Sequence, residues 1–599
     1  MNQAPKLTTY RLDDLPLVLG LLMQMNLPEI FDREIRDHGL HTGLSGGWMM
    51  TIWLAFIIAQ SDHTKYNVET WVERHQEVIA MITSQVIIPQ EFNDNRLSSL
   101  LTRLRDDKRW NSFEAALFER EVEVYEICPA SLGDLVSAHV DSTTACGHHT
   151  PSENGLMQYG HSKDHRPDLA QLKLMTVAVH PHGHWAATEV APGQTADDGL
   201  YLPIISRARE MIGHRGVLYA GDKKMAALAT RAEIARAEDY YLTMSPLTGE
   251  TAKDLPGWIE AAISGQQPTV RLINEAGEKI GCGYEFSRQC KIELPIGPGG
   301  APQEFTWTER VLVIRSESLL KSQAAGLAKR LSHGIEELRA LTPEPGRGRR
   351  QYRDEESLLE AVNQVIEKYR LAGLVEVAWQ TEERREMRYV GRGRGGANRQ
   401  QQEVVTRRVR ITSVKRKKAA IAAHCKRLGW QALLTNAPQT ISLNECVNHY
   451  RANWRGERNY HRFKSEPVGI DPIYVHNDDQ IKGLTRLLTL AARAASIFEW
   501  QVERGLKSEE KMMKGLYAGQ PQRATSTPTA VAMLEAISRE EITLTEIEFD
   551  GQTIWHLTPL PELLTDVLRY LHLPATLYTG LGVKPAAENS VFDISIFGK

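Results

Sequence analysis

What this chain lacks narrows it first. Its six cysteines, Cys128, Cys146, Cys282, Cys290, Cys425 and Cys446, are scattered without a CxxC pair, which fits neither a zinc ribbon nor a small disulfide scaffold. Reduced thiols are expected. No apolar run approaches the ~20 residues that a membrane-spanning helix needs. The longest dense one, Trp48 to Ala59 (WMMTIWLAFIIA), reads as a buried helix. The start, MNQAPKLTTYRLDD, has no charged region followed by an apolar core, so a cytoplasmic location with no membrane partner is expected. No P-loop is present, which points away from chemistry coupled to ATP. Net charge is small as well, −4 from 71 Lys+Arg against 75 Asp+Glu. That balance is uninformative about a nucleic-acid partner, because a local basic surface matters more than the sum.

What is present suffices for several domains: 599 residues, 42% of them hydrophobic. From about Leu15 to Glu126 apolar residues recur at helical spacing, which predicts an α-helical N-terminal domain over residues 1–130. Next comes LVSAHVDSTT, a strand ending at Asp141, then a polar loop to His165. LKLMTVAV and WAATEV follow as strands around the turn HPHGH. A helix from Asp197 to Met211, the strand GVLYAGDKK ending at Asp222 and the helix MAALATRAEIARAED complete the order β-β-β-α-β-α. These elements predict an α/β core whose first part is 131–245. Residues 246–428 mix Gly/Pro loops, the helix SLLEAVNQVIEKYR and β-prone runs such as RVLVIRS, and read as a large insertion. The core resumes over 429–506 with the strand WQALLTN, one long helix SLNECVNHYRANWRGERNYHRFK and the apolar-faced helix IKGLTRLLTLAARAASIFEWQVERGL. Residues 507–599 form a C-terminal segment with helical runs of its own.

Three acids stand out. Asp141 and Asp222 each close a predicted strand, and the carboxyl ends of strands line the crevice where α/β sheets bind ligands. On neighbouring strands they would lie about 4.8 Å apart. Taken singly, an aspartate there is ordinarily a turn or cap residue, and a helix glutamate is ordinarily solvated. Glu457 is the candidate third acid. On a helix at about 100° per residue, Tyr450, Asn453, Glu457 and Lys464 share a stripe about 60° wide, so an aromatic ring, an amide, a carboxylate and an ammonium face one way. Carboxylates suit hard cations, and two such ions ~3.5–4 Å apart can assist phosphodiester displacement.

The order and spacing of these motifs resemble the DDE transposases of bacterial insertion-sequence family four, whose signature around the last acid is Y-x2-R-x3-E-x6-K. The resemblance also covers HVDSTT at the first acid, YGHSKDHRPDLAQLKL, YAGD at the second acid and KSEPVGIDPIYVHNDDQIKGLTRLLTLA after the third. It implies an RNase H-like catalytic core interrupted by a β-rich insertion, with an α-helical N-terminal domain and a helical C-terminal segment. Asp141, Asp222 and Glu457 would hold Mg²⁺, with Mn²⁺ able to substitute. The partners would be double-stranded DNA, as element terminal inverted repeats and target, and a second copy of the chain in a homodimer on paired ends. Tyr450 and Lys464 would contact DNA beside the cut. The family's arginine is Asn453 here, which can donate only a neutral hydrogen bond, weaker than a charged one. Two rivals predict the same motifs: a nuclease of this core that does not join ends, and an inactive or domesticated DNA-binding protein.

Other stretches carry expectations of their own. The loop GHSKDHRPD gathers Lys163, His165 and Arg166, which either hold a phosphate and scaffold the site or form a salt-bridged turn with Asp164 and Asp168. VTRRVRITSVKRKK, with Arg407 and Arg408, reads as a basic strand able to track DNA phosphates, or else as a charged edge that discourages aggregation. His180, His182 and His184 around a Pro-Gly turn read as a solvated hairpin tip rather than a metal site. Gly391, Gly393 and Gly396 match G-x-G-x-x-G, but no apolar helix follows, so a dinucleotide site is not expected.

Overall fold

A nine-stranded mixed sheet runs through the computed structural model, which describes residues 5–36, 42–127, 135–246, 248–295, 302–391 and 400–582. The chain begins with strand β1 (Lys6–Arg11) and helices α1 (Leu15–Gln24), α2 (Leu27–Glu34), α3 (Gly46–Gln60), α4 (Val68–Thr83), α5 (Asp94–Arg103) and α6 (Asp107–Tyr125). The apolar run from Trp48 falls within α3, whose flanks are covered so fully that Trp53 is completely buried. No described helix is long and apolar enough to cross a membrane.

The sheet starts with β2 (Ser137–Gly147), β3 (Ala170–Val179) and β4 (His184–Pro192), then α7 (Tyr201–Ile212), β5 (Leu218–Gly221), α8 (Leu228–Arg236) and β6 (Tyr240–Met244). β2, β3 and β4 pair antiparallel, while β5 lies parallel to β2 and β6 parallel to β5. Nearly every residue of β2 and β3 is buried, as expected of strands covered on both faces. β2 does not stop at Asp141. It pairs with β3 as far as Gly147, because β3 is long enough to keep its backbone groups satisfied. On its other edge the pairing with β5 ends at Val140 and Gly221. Short β6 went unforeseen in the sequence.

Residues 246–428, read from the sequence as an insertion, hold α9 (Gly249–Ile263), β7 (Val270–Ile273), β8 (Lys279–Pro295), β9 (Pro302–Ser316), α10 (Glu317–Ala340), α11 (Glu355–Lys368), β10 (Val375–Tyr389), β11 (Gln401–Arg416) and α12 (Lys418–Lys426). Their first three strands extend the core sheet: β12 (Trp430–Thr435) pairs with β6 on one side and β9 on the other, giving the order β4-β3-β2-β5-β6-β12-β9-β8-β7. α9 packs on the main core through Leu255, Trp258 and Ala262, whereas α10, α11, β10, β11 and α12 pack around a separate apolar cluster that includes Leu338, Leu358 and Val409.

After β12 come α13 (Leu443–Arg451), α14 (Trp454–Lys464) and α15 (Asp478–Ser508), then α16 (Ala530–Ser538), β13 (Thr543–Phe549), β14 (Gln552–Leu557), α17 (Glu562–Tyr570) and α18 (Thr576–Thr579). The single long helix expected from Ser442 to Lys464 is two. The Arg455 amide bonds the Ala452 carbonyl in a tighter turn before α-helical bonding resumes from Glu457 to Asn453, in a stretch where Asn453 and Gly456 are weak helix formers. The C-terminal segment is not purely helical either: β13 pairs with β14 and also with β1, so both ends of the chain share a small sheet. α15 is buried on all sides, lying against α3, α5, α14 and β4. Its fully buried Arg493 meets Glu114 and Glu121 of α6. Glu121 also accepts from His184 of β4 at 2.9 Å, tying the helical layer to the sheet.

Candidate active site

Val140 of β2 and Gly221 of β5 are the last partners in the parallel pairing, so Asp141, within β2, and Asp222, the first residue past β5, follow it side by side. Both line a cavity of about 590 Å³, and so do Tyr450, Asn453 and Glu457. Ser316 at the end of β9 and Ser318 and Ser322 of α10 form part of the same wall, and β12 adds Gln431.

Each aspartate is held by one oxygen. Asp141 Oδ1 accepts from the Ser142 amide at 2.7 Å and from the Lys163 ammonium at 3.3 Å. Burial pushes the Asp141 carboxyl up, Lys163 and the Ser142 amide pull it back, and Asp222 adds to the rise. Asp222 Oδ1 accepts from the Tyr201 hydroxyl at 2.7 Å and the Lys224 amide at 2.9 Å. Among the described residues neither Oδ2 has a protein partner. Asp197 accepts from Lys173, Lys224 and the Ser142 hydroxyl; burial pushes its carboxyl up, but the two lysines lower it to about 2.

Glu457, in the first turn of α14, is exposed. The hairpin tip between β3 and β4 sets that helix in place. Gly183 has φ +71° and lies so close that a Cβ would stand 2.6 Å from the Arg455 carbonyl carbon, while Arg455 donates to Pro181 O and Asn459 to Gly183 O. The histidines of this tip are therefore packed, His184 fully and His180 and His182 in part. His182 packs on Trp500 with ring centroids 3.5 Å apart, His184 is buried on Glu121, and burial lowers His180 to about 3 and His182 to about 2. Arg455 and Asn459 of α14, Trp500 of α15 and Glu121 of α6 receive this turn.

The stripe on the signature segment divides. Tyr450, Asn453 and Glu457 reach the cavity, whereas Lys464 pairs with Asp164 of the 161–168 loop. Burial, then Asp222 and Asp141, keep the Tyr450 phenol protonated. Lys163 scaffolds Asp141, while Arg166 forms the salt-bridged turn with Asp168 at 2.9 and 2.8 Å. Arg407 pairs with Glu383 at 2.8 Å across the ribbon, and Arg408 bonds the Pro343 carbonyl at 3.0 Å and Glu344 at 3.4 Å. Neither lines the cavity. Cys146, Cys282, Cys290, Cys425 and Cys446 are free thiols. Cys128, Gly393 and Gly396 lie outside the described residues.

Carboxylate oxygens with open Oδ2 atoms fit a hard divalent cation by chemistry. By position the fit is partial: among the described residues, no three His, Cys, Asp or Glu side chains stand together closely enough to hold a metal ion. The acids share a cavity without forming one ligand cluster. Sequence reasoning missed Tyr201, Asp197 and the serine wall. Only Lys224, two residues past Asp222, carried a local signal.

No protein-family model matches the chain, and no curated protein does. Among solved structures it is similar to a piggyBac transposase synaptic complex with hairpin DNA, with a TM-score of 0.33 and 7% identity over 99% of this chain and 91% of that one. A likeness this loose leaves the argument to the residues of the site.

Proposed function

We propose that the chain is a DNA transposase of the DDE type, similar to insertion-sequence family four, with an RNase H-like core formed by β4-β3-β2-β5-β6. The observation that carries this reading is that Asp141 and Asp222 directly follow the last paired residues of the parallel strands β2 and β5 and line one cavity with Glu457 of α14. Asp141, Asp222 and Glu457 would hold Mg²⁺ or Mn²⁺, which supplies charge neutralisation at the phosphate and activation of the attacking oxygen.

The chain's own residues do the rest. The pairing of Val140 with Gly221 holds the chain segments that carry the two aspartates next to each other. Tyr450, protonated, and Asn453 donate neutral hydrogen bonds to a phosphate in the cavity, and Lys464, once it leaves Asp164, supplies charge beside the cut. Lys163 balances the half-buried Asp141 carboxylate until substrate arrives. Water attacks an end phosphorus and the 3′-oxygen leaves as the hydroxyl. That 3′-hydroxyl then loses its proton and attacks a target phosphorus, and the target strand's own 3′-oxygen leaves as a hydroxyl, so one phosphodiester bond forms as one breaks. No protein nucleophile is needed. A homodimer on paired inverted repeats, acting in the cytoplasm, belongs to the same proposal.

The test is cleavage and joining of a DNA fragment carrying the native element ends. Asp222→Asn should abolish both while end binding persists, and cleavage without joining would assign a nuclease. A second reading, a DNA-binding protein that has lost the chemistry, is favoured by Asn453 and by the unassembled acids. It requires that wild-type protein bind the ends and leave them intact.

A further inference from the structure

We propose that Tyr201, on α7, is a positioning residue for Asp222, holding Oδ1 so that Oδ2 is kept for the ligand of the cavity. The inference rests on the transposase reading of this site and deepens it. Tyr201 is 1% exposed and donates to Asp222 Oδ1 at 2.7 Å. The Lys224 amide donates to the same oxygen at 2.9 Å, and Thr243 Oγ1 bonds the Asp222 carbonyl at 2.6 Å. A carboxylate gripped twice through one oxygen cannot spin freely, and its second oxygen stays in one place in the cavity that Asp222 lines.

The same backing layer serves Asp141. Ser142 gives its amide to Asp141 Oδ1 and its hydroxyl to Asp197, at 2.7 and 3.3 Å. Lys224 gives its amide to Asp222 and its ammonium to Asp197. Asp197, 3% exposed, thus connects the supports of both aspartates. Within this layer Tyr201 is the donor that can be removed without stranding a buried charge: Tyr201→Phe deletes one hydroxyl and keeps the ring. Groups that orient metal ligands from behind are worth ~10–100-fold in metal affinity or activity when lost.

The experiment uses the full chain and Mn²⁺ as probe, titrated by the loss of its free electron paramagnetic resonance signal, with Asp222→Asn as reference. Melting temperature, affinity for end DNA and single-turnover cleavage are measured alongside. Tyr201→Phe should weaken Mn²⁺ binding at least about 10-fold and slow cleavage, with melting temperature and DNA affinity unchanged. Wild-type Mn²⁺ affinity in Tyr201→Phe, while Asp222→Asn loses binding, overturns the inference and spares the transposase reading. A fall in melting temperature and DNA affinity together with Mn²⁺ binding marks a packing role and overturns it too. Unchanged Mn²⁺ binding in Asp222→Asn refutes the transposase reading of the site, and the role of Tyr201 with it.

Discussion

Replacing Gly183 with alanine probes how firmly the hairpin tip sets the helix that carries Glu457. The new Cβ would stand 2.6 Å from the Arg455 carbonyl carbon and 2.8 Å from its oxygen, where ordinary contact begins at 3.4 Å. Backbone on both sides must therefore separate by about 0.8 Å, the difference between 3.4 and 2.6 Å. Glu457 lies two residues beyond Arg455, so that shift reaches the cavity almost undiminished. Misplacement of a reacting group by about 1 Å can cost on the order of 10²-fold in rate, and Gly183→Ala is expected to slow cleavage of end DNA by roughly 10- to 100-fold. The substitution also carries the left-handed backbone penalty of roughly 1–2 kcal/mol, since φ is +71°. Gly213→Ala separates the two effects. Gly213 has φ +79° with nothing within 4 Å of an added Cβ, so it carries the backbone penalty alone and should cleave at close to the wild-type rate. Single-turnover cleavage at saturating DNA, with denaturation curves for each variant, reads both. Wild-type cleavage by Gly183→Ala, or an equal loss in Gly213→Ala, refutes the reasoning.

Further expectations follow from buried charges. Arg493→Met takes from buried Glu121 its arginine partner and leaves Glu114 with Arg207 alone, and chemical denaturation should show a loss of about 3–5 kcal/mol; a loss under about 1 kcal/mol would contradict the network's role. Burial raises Asp14 to about 7 in the folded chain. The unfolded chain ionises first, so stability should fall as pH rises from about 4 to about 7, and Asp14→Asn should flatten that slope and be the more stable protein above pH 7. Parallel curves for the two proteins would refute the assignment. Lys464→Ala should weaken end-DNA binding and reduce its salt dependence by about one counterion, and an unchanged salt slope would place Lys464 away from phosphate.

How much of this was legible in the sequence depends on the range of the interaction. The strands leading to Asp141 and Asp222 are apolar runs ending in acids, and local patterning was enough to find them. The signature placed Tyr450, Asn453 and Glu457 on one face, and all three reach the cavity. Lys464 left that face because Asp164, 300 positions earlier in the chain, takes its ammonium. β7, β8 and β9 could not be joined to the core from sequence, since their place depends on β12 pairing with β9 across more than a hundred residues. The histidine turn looked solvated because its alternation is polar, and the aromatic that covers His182, Trp500, lies far along the chain. Tyr201 was hidden in an ordinary amphipathic helix, where nothing local distinguishes a phenol that packs from one that bonds an acid.

The most direct measurement is the anomalous scattering of Mn²⁺ in crystals of the protein bound to its element ends. The account predicts Mn²⁺ with oxygens of Asp141, Asp222 and Glu457 all within coordination distance, roughly 2.0–2.3 Å, once DNA has drawn Glu457 inward. Mn²⁺ held elsewhere, or held by the aspartates with Glu457 still apart, would contradict it.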